Sequence, residues 1–380
     1  MPELYLDLTE WLNHPIRSGI QRVEGEMLRW WPAEVPFRVV RFDPARGMVV
    51  MPDGATSRLG QLFTATEAKR EELVSELRAI AGSPALRVLD LNDNQIRLVV
   101  PEVFWDQART SFYFGLNARQ MERVYFLVFD LLPFTHPFYF GPSVPGEVTG
   151  AYFRLLRMAT QVGFISRATR TAFHSRLRRS AKDEGPAFYL GSDGLGPRPE
   201  YAPPGDVPVF SVIGTIDPRK NHIVTLQAFR RFQQERPEAR LRFYGSWGTS
   251  REQVRAIIAA ETGRHGFEMV ENPSDAVVRA GILESTFTIY PSAGEGFGLP
   301  PVESLWLGTP VIAPRYIPSL ENLGGRGLVF LDSVDQDALV AAMRTASQEL
   351  VNRELREQAH QMELPTWRSF AEEFSRWVRS

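Results

Sequence analysis

Short β-branched and aromatic runs bounded by turn residues alternate along the chain with longer stretches whose apolar positions recur every three or four residues, as parallel βαβ units do. In the first half this pattern predicts strands at Leu4–Leu8, Phe37–Phe42, Val99–Pro101, Val124–Phe129 and Val162–Ile165, and helices at Ile20–Trp30, Ala65–Ile80, Val148–Ala159 and Arg167–Ser180. Gly185–Pro208, dense in glycine and proline, reads as a linker. Beyond it, strands are predicted at Val209–Ile213, Leu241–Tyr244, Glu268–Val270, Thr286–Tyr290 and Val311–Ala313, interleaved with helices at His222–Glu235, Arg251–Thr262, Asp275–Glu284 and Val302–Leu307. Helices at Asp335–Gln361 and Trp367–Val378 end the pattern. The expected class is α/β, with two doubly wound domains divided near residue 200 and ligands at the carboxyl ends of the strands.

A length of 380 residues fits two domains, each large enough for its own core. With no cysteine, disulfides, thiolate-bound zinc and thiol nucleophiles are excluded. The 43 basic side chains nearly balance 45 acidic ones, so no global field favours nucleic acid and no nucleic-acid partner is expected. Only Lys69, Lys182 and Lys220 are lysines, and arginine supplies the rest, which draws attention to each lysine. The amino terminus, MPELYLDLTEWL, lacks the basic and apolar segments of a signal peptide, and no apolar run nears the roughly 20 residues of a membrane span. The expected compartment is the cytoplasm, with peripheral membrane contact left open.

The most informative stretch is Tyr290–Ala313, YPSAGEGFGLPPVESLWLGTPVIA. A strand gives way to a loop of small residues, and Pro300 and Pro301 open a helix with Glu303 in its first turn. Gly294, Gly296 and Gly298 let the backbone approach a ligand, and the helix end that follows favours an anion. Glu295 and Glu303 are placed to hold hydroxyls of a polyhydroxylated ligand, although a helix-start acid with a solvated neighbour would look the same. Val209–His222, VFSVIGTIDPRKNH, repeats the theme. Gly214 and Thr215 turn the chain, and Arg219 and Lys220 open a helix, a convergence of amides and cations that suits a diphosphate. An ordinary charged βα loop is the alternative. In the first half, Ser18 and Gly19 open a helix, and Asp130 ends an apolar strand, where a carboxylate is costly unless it pairs or works.

Glu295 to Glu303, with Gly308 to Ile312, resembles the donor-site signature of the retaining glycosyltransferases of GT-B fold, the glycosyl transferases group 1 (family 4 type), which include bacterial mannosyl- and rhamnosyltransferases. That signature reads E-G-F-G-L-P-x-x-E followed by G-x-P-V-I. Gly214 to His222 is similar to the family's diphosphate turn, with Asp217 for its usual Glu and Thr215 where some members carry arginine, so Arg219 would supply the second positive charge. Ser18–Val23, SGIQRV, resembles the glycine loop of one bacterial subgroup, and Asn13–Arg17 would lengthen it toward an acceptor. Asp130 matches a family aspartate, but Phe129 replaces the histidine that approaches the donor sugar, leaving His136 as a partial substitute or a merely exposed ring. Pro365-Thr366-Trp367 resembles the opening of a last helix that returns to the first domain.

The resemblance implies two Rossmann-like domains facing a central cleft. Residues 1–200, with helix 366–380 packed back on them, would form the acceptor side, and 201–365 the nucleotide-sugar side. The implied reaction moves a hexose from GDP-mannose, a dTDP- or UDP-sugar or a similar donor to a glycan or lipid-linked glycan, with retention, in bacterial surface polysaccharide or lipopolysaccharide biosynthesis. No cofactor or metal is expected, because cations and helix-end amides would stabilise the departing diphosphate and the chain lacks a convincing D-x-D motif. Arg219 and Lys220 would take that role, Glu303 the ribose and Glu295 the sugar hydroxyls. Gly19, Gly214, Thr215, Gly296, Phe297, Gly298 and Leu299 would line the donor, and Asp130 would orient acceptor or sugar. Between Ala151 and Lys182, the residues Arg154, Arg157, Arg167, Arg170, Arg176, Arg178, Arg179 and Lys182 meet no acid and interleave with Tyr152, Phe153, Leu155, Leu156, Phe164 and Phe173. That stretch is either a solvated helix face over a core or a surface for anionic lipid headgroups or a lipid-diphosphate-linked acceptor. A non-catalytic nucleotide-sugar-binding module and a GT-B phosphorylase or epimerase are the rival readings. Intact Glu295, Glu303 and Lys220 count against the first.

Overall fold

The computed structural model describes residues 2–15, 18–64, 67–140, 146–177, 184–203, 205–248 and 252–380. The chain divides into two compact units. One comprises residues up to Thr135, the stretch ending at Leu190, and Thr366–Ser380; the other holds residues 136–140 and Gly191–Pro365.

The first unit is built on six strands, β1 (Glu3–Asp7), β2 (Phe37–Asp43), β3 (Gly47–Val50), β4 (Ile96–Val100), β5 (Val124–Val128) and β6 (Gln161–Phe164), in the order β3-β2-β1-β4-β5-β6. All neighbours are parallel except the hairpin β2–β3. The sequence pattern misses β3, whose four residues are too few to show a period and whose turn depends on Gly47 at φ 83°. Every residue of β5 is buried, as a strand covered on both faces requires. The last helix, Trp367–Arg379, buries Trp367, Phe370 and Phe374 in this unit; Phe374 meets Trp31 edge-on at 6.3 Å and Trp377 meets Tyr125 at 5.1 Å. The helix predicted over Ala65–Ile80 is present as Glu67–Ala81, with Ala65 outside the described residues, and Gly54–Thr64, which the pattern leaves unassigned, is a further helix. Gln107–Phe114, which the pattern leaves unassigned, is a helix capped by the side chain of Asp106.

In the second unit, β7 (Val209–Ile213), β8 (Arg240–Gly245), β9 (Phe267–Glu271), β10 (Phe287–Ile289), β11 (Val311–Pro314) and β12 (Leu328–Leu331) form a parallel sheet in the order β12-β11-β10-β7-β8-β9. The helix expected over Asp335–Gln361 is broken at Ser347–Gln348, because Gln348 takes an extended backbone, into Gln336–Ala346 and Glu349–His360. From β7 the chain winds outward through β8 to β9, and from β10 through β11 to β12. The loops leaving β7 and β10 therefore emerge side by side at the topological switch point. Among the described residues of both units, no helix is long and apolar enough to cross a membrane.

The switch point of the first sheet, between β1 and β4, is filled by buried charge. Asp7 Oδ2 lies 2.7 Å from Arg109 Nη2 and accepts from Tyr113 Oη at 2.6 Å, while Arg109 Nη2 also reaches Glu102 Oε2 at 2.7 Å. The Glu102 carboxylate accepts from the amides of Glu10 and Trp11, each at 2.9 Å. Glu24, only 1% exposed, adds a third carboxylate. Burial, and then the charge of Glu102, push Glu24 well above the usual carboxylate range, and burial carries Glu102 up to about 7 against the pull of Arg109. One guanidinium does not neutralise three buried carboxylates, so Glu24 holds its proton to higher pH than an exposed glutamate does.

Two consequences are testable. Arg109→Met strands Asp7 and Glu102 without their cation, and denaturant unfolding should show a loss of about 3–5 kcal/mol. The folded Glu24 carboxyl keeps its proton to higher pH than the unfolded one, which ionises near 4.5, so it stabilises fully below that pH and loses the contribution as pH rises through its folded value. Melting midpoints of Glu24→Gln should accordingly decline less than those of the wild type from pH 4.5 to pH 8.

Candidate active site

The loops after β7 and β10 are first joined through their backbones. Gly214 ends β7 at φ 134°, and a Cβ there would stand 3.4 Å from Lys220 Nζ. Asp217 Oδ1 accepts from Arg219 N at 3.2 Å and so starts the single 3-10 turn Pro218–Lys220. Asn221 leaves that turn at φ 49° and donates its side-chain amide to Pro291 O at 2.9 Å, while Ala293 N donates to Arg219 O at 2.8 Å.

Across this seam the charged groups meet. Glu295 Oε1 lies 2.6 Å from Arg219 Nη1 and 3.0 Å from Lys220 Nζ, and accepts from Ser292 Oγ at 2.6 Å. Arg219 Nη1 also donates to Gly294 O at 2.8 Å, and Asp217 stands 3.8 Å from its Nε. Lys220 Nζ donates to Tyr290 Oη at 2.7 Å and sits 4.4 Å over that ring. Burial would raise the Glu295 pKa, but the charges of Lys220 and Arg219 overcome it and hold the carboxyl down at about 2. Burial pulls Lys220 down, and Glu295 opposes that shift. One turn on, His222 is 3% exposed, meets Phe243 edge-on at 5.0 Å and has neither ring nitrogen hydrogen-bonded. Burial, and then Lys220, hold it down at about 3.

The glycine loop completes the site. Gly298, at φ 94°, precedes the helix Leu299–Trp306, and a Cβ on it would come within 2.9 Å of Ile317. Gly296 and Phe297 are buried and Leu299 half-buried, while Thr215 is exposed at the rim. Glu303 lies inside the helix, 3% exposed, and its charge helps raise the pKa of Tyr290. Among the described residues, no group of three His, Asp or Glu side chains is gathered to hold a metal ion.

The structure thus brings Gly214, Arg219, Lys220 and Glu295 together. Gly19 and Asp130 belong to the first unit. Gly19 begins the helix Gly19–Trp30, which is capped by Ser18 Oγ accepting from Gln21 N at 3.2 Å. Asp130 is not the buried carboxylate expected from its apolar strand: it is half-buried and accepts from Leu132 N at 2.9 Å, as a turn-capping residue does. His136 is exposed, its ring 5.8 Å from that of Phe138 and 6.0 Å from that of Tyr139. In the stretch after Ala151, the apolar residues Tyr152, Phe153, Leu155, Leu156, Phe164 and Phe173 are core, whereas Arg154, Arg157, Arg167 and Arg176 face outward. Arg17, Arg178, Arg179 and Lys182 lie outside the described residues. Sequence reasoning missed Tyr290 and Ser292 as site residues. The available signal was a phenol ending an apolar strand directly ahead of the glycine loop.

The low pKa values fix the sign of an acid response. Folded His222 stays neutral down to about pH 3, whereas the unfolded chain takes its proton near 6.5, so stability is full above 6.5 and is lost as pH falls through 3. Glu295 acts in the same direction in the window from 4.5 to about 2. Between pH 7 and pH 4 the melting midpoint of the wild type should fall more steeply than that of His222→Phe, which removes the first contribution and leaves the second.

Residues 197–362 match the family described as Glycosyl transferases group 1. Among curated proteins, the chain is similar to the serotype-specific mannosyltransferase WbdA of Escherichia coli. One match is 30% identical over 152 residues, covering 36% of this chain and 18% of that protein; another is 23% identical over 348 residues, covering 84% of this chain and 40% of the relative. The chain therefore spans less than half the length of the curated relatives it matches. Among solved structures, Anabaena HepE in complex with UDP and glucose matches with a TM-score of 0.63 at 15% identity over the whole of both chains. Trehalose 6-phosphate synthase from Burkholderia multivorans matches with a TM-score of 0.62 at 15% identity, covering all of this chain and 98% of the other. The two doubly wound sheets agree with the GT-B fold of these solved structures, and residues 197–362, within the second unit, carry the match to glycosyl transferases group 1.

Proposed function

We propose that this chain transfers a hexose, with mannose as the leading candidate, from a nucleotide-diphosphate sugar to a glycan or lipid-linked glycan acceptor. In this reading transfer proceeds with retention and without a bound metal, during assembly of a bacterial surface polysaccharide. The observation that carries the reading is the convergence of Arg219 and Lys220 on Glu295 at the switch point of the second sheet. Two cations fixed in a largely dry setting stabilise the charge that develops on a departing diphosphate. Glu295 then turns to the sugar hydroxyls and Glu303 holds the ribose, while Gly214 and Gly298 keep the backbone open to the phosphates. Mannose as the sugar is supported by the similarity to WbdA, and a diphosphate nucleotide by the UDP bound in HepE. The outward arginines Arg154, Arg157, Arg167 and Arg176 support peripheral contact with anionic headgroups near a lipid-linked acceptor.

A thermal-shift screen with GDP-mannose, UDP-glucose and dTDP-rhamnose tests the donor, and one of them should raise the melting midpoint by several degrees. Lys220→Ala should abolish that shift and slow transfer on the order of 10²-fold or more. EDTA should leave transfer unchanged, and NMR of the product should show the anomeric configuration of the donor. If no nucleotide sugar stabilises the protein and Lys220→Ala behaves as wild type, the transferase reading is wrong. Replacing the four outward arginines with serine should weaken co-sedimentation with vesicles containing anionic lipid.

A further inference from the structure

Lys220 is a buried ammonium between Gly214 and the end of β10, and its partners within reach are Glu295 and Tyr290. The two partners differ. Glu295 shares one oxygen among Lys220, Arg219 and Ser292, and in the proposed reaction that carboxylate turns to the sugar once the diphosphate takes the cations. Tyr290 stays, because it is 3% exposed, it ends a central strand, and both its hydroxyl and its ring face the ammonium. The hydroxyl accepts from Lys220 Nζ at 2.7 Å. Without the hydroxyl, Lys220 would keep only a carboxylate whose attention is divided.

We propose that Tyr290 is a positioning residue for the diphosphate site, holding the Lys220 ammonium in place and charged while Glu295 exchanges partners. The proposal rests on the transferase reading for its consequence but not for its geometry. Tyr290→Phe keeps the ring, its packing and its contact with the ammonium, and removes only the hydroxyl bond.

The chain's three lysines make the direct measurement practical. In protein labelled at lysine with carbon-13, the ε resonances of Lys220 are assigned by their loss in Lys220→Arg. Their titration should move to lower pH in Tyr290→Phe, since a bond to the charged form has been lost. Calorimetric titration with GDP and UDP from pH 6 to pH 10 should show the variant binding roughly 3- to 10-fold more weakly, the size of one hydrogen bond. Its affinity should also decline at lower pH than that of the wild type. A Lys220 titration in Tyr290→Phe that coincides with the wild type overturns the proposal. If the wild type binds neither GDP nor UDP, the transferase reading fails, while the lysine titration still decides the role of Tyr290.

Discussion

A single carboxylate oxygen, Glu295 Oε1, ties together two loops that are about seventy residues apart in sequence and adjacent in space, and much of the second unit serves that contact. Arg219 and Lys220 are consecutive, like-charged and mostly buried, so burial and mutual repulsion both work to discharge the lysine. The contact requires β7 and β10 to be neighbours, which the winding of the sheet in opposite directions from that pair provides. It also requires Gly214 to leave room beside Lys220, and Asn221 to adopt a left-handed backbone so that the helix His222–Glu235 starts where it does. The two backbone and amide bridges, Asn221 to Pro291 and Ala293 to Arg219, set the loops before any charge is counted.

The switch point of the first sheet is furnished in the opposite way. There one guanidinium is surrounded by carboxylates, and the oxygens of Asp7 and Glu102 are occupied by Thr9, Tyr113, Arg109 and two helix-start amides. Such saturation fixes the strand ends and the short helix Thr9–Asn13, and leaves Asp7 and Glu102 little to offer a ligand. In the second unit the groups at the equivalent place are bound to one another through bonds that an anionic ligand is able to replace. Burial alone does not separate the two cases. The difference lies in whether the partners are backbone amides that stay or side chains that exchange.

The sheet of the second unit was largely legible because its strands are apolar runs with turn residues between them, and the loops after β7 and β10 were legible because their glycines and charges sit at strand ends. The elements that escaped are those whose pattern is too short or too ambiguous. β3 and β12 have four residues each, and a break at Ser347–Gln348 divides what reads as one amphipathic stretch. At the site, the residue types were visible and the pairing was not. Sequence separates Arg219 and Lys220 from Glu295 and assigns them to different parts of a ligand, whereas the folded chain joins them directly. Tyr290 was hidden because a tyrosine at a strand end reads as core, and Asp130 was over-read because capping a turn looks, in sequence, like ending a buried strand.

The charge states at this site also bear on how a proton is handled. A general base at neutral pH needs a pKa near 7. Glu295, held at about 2, is ionised throughout that range, and its Oε1 already accepts three bonds, so it acts through its charge and not by taking a proton. His222 follows Lys220 by two residues, but it is buried against Phe243 and held at about 3, so a proton placed on it would sit in an apolar pocket beside an ammonium. Neither residue relays protons, and Lys220 and Arg219 carry charge that favours an anion beside them. In the proposed transfer, the group left to receive the proton of the acceptor hydroxyl is an oxygen of the departing phosphate, which those two cations hold on the face where the sugar is attacked. In that proposal, retention would come from electrostatic placement of the leaving group, with no covalent intermediate on Glu295.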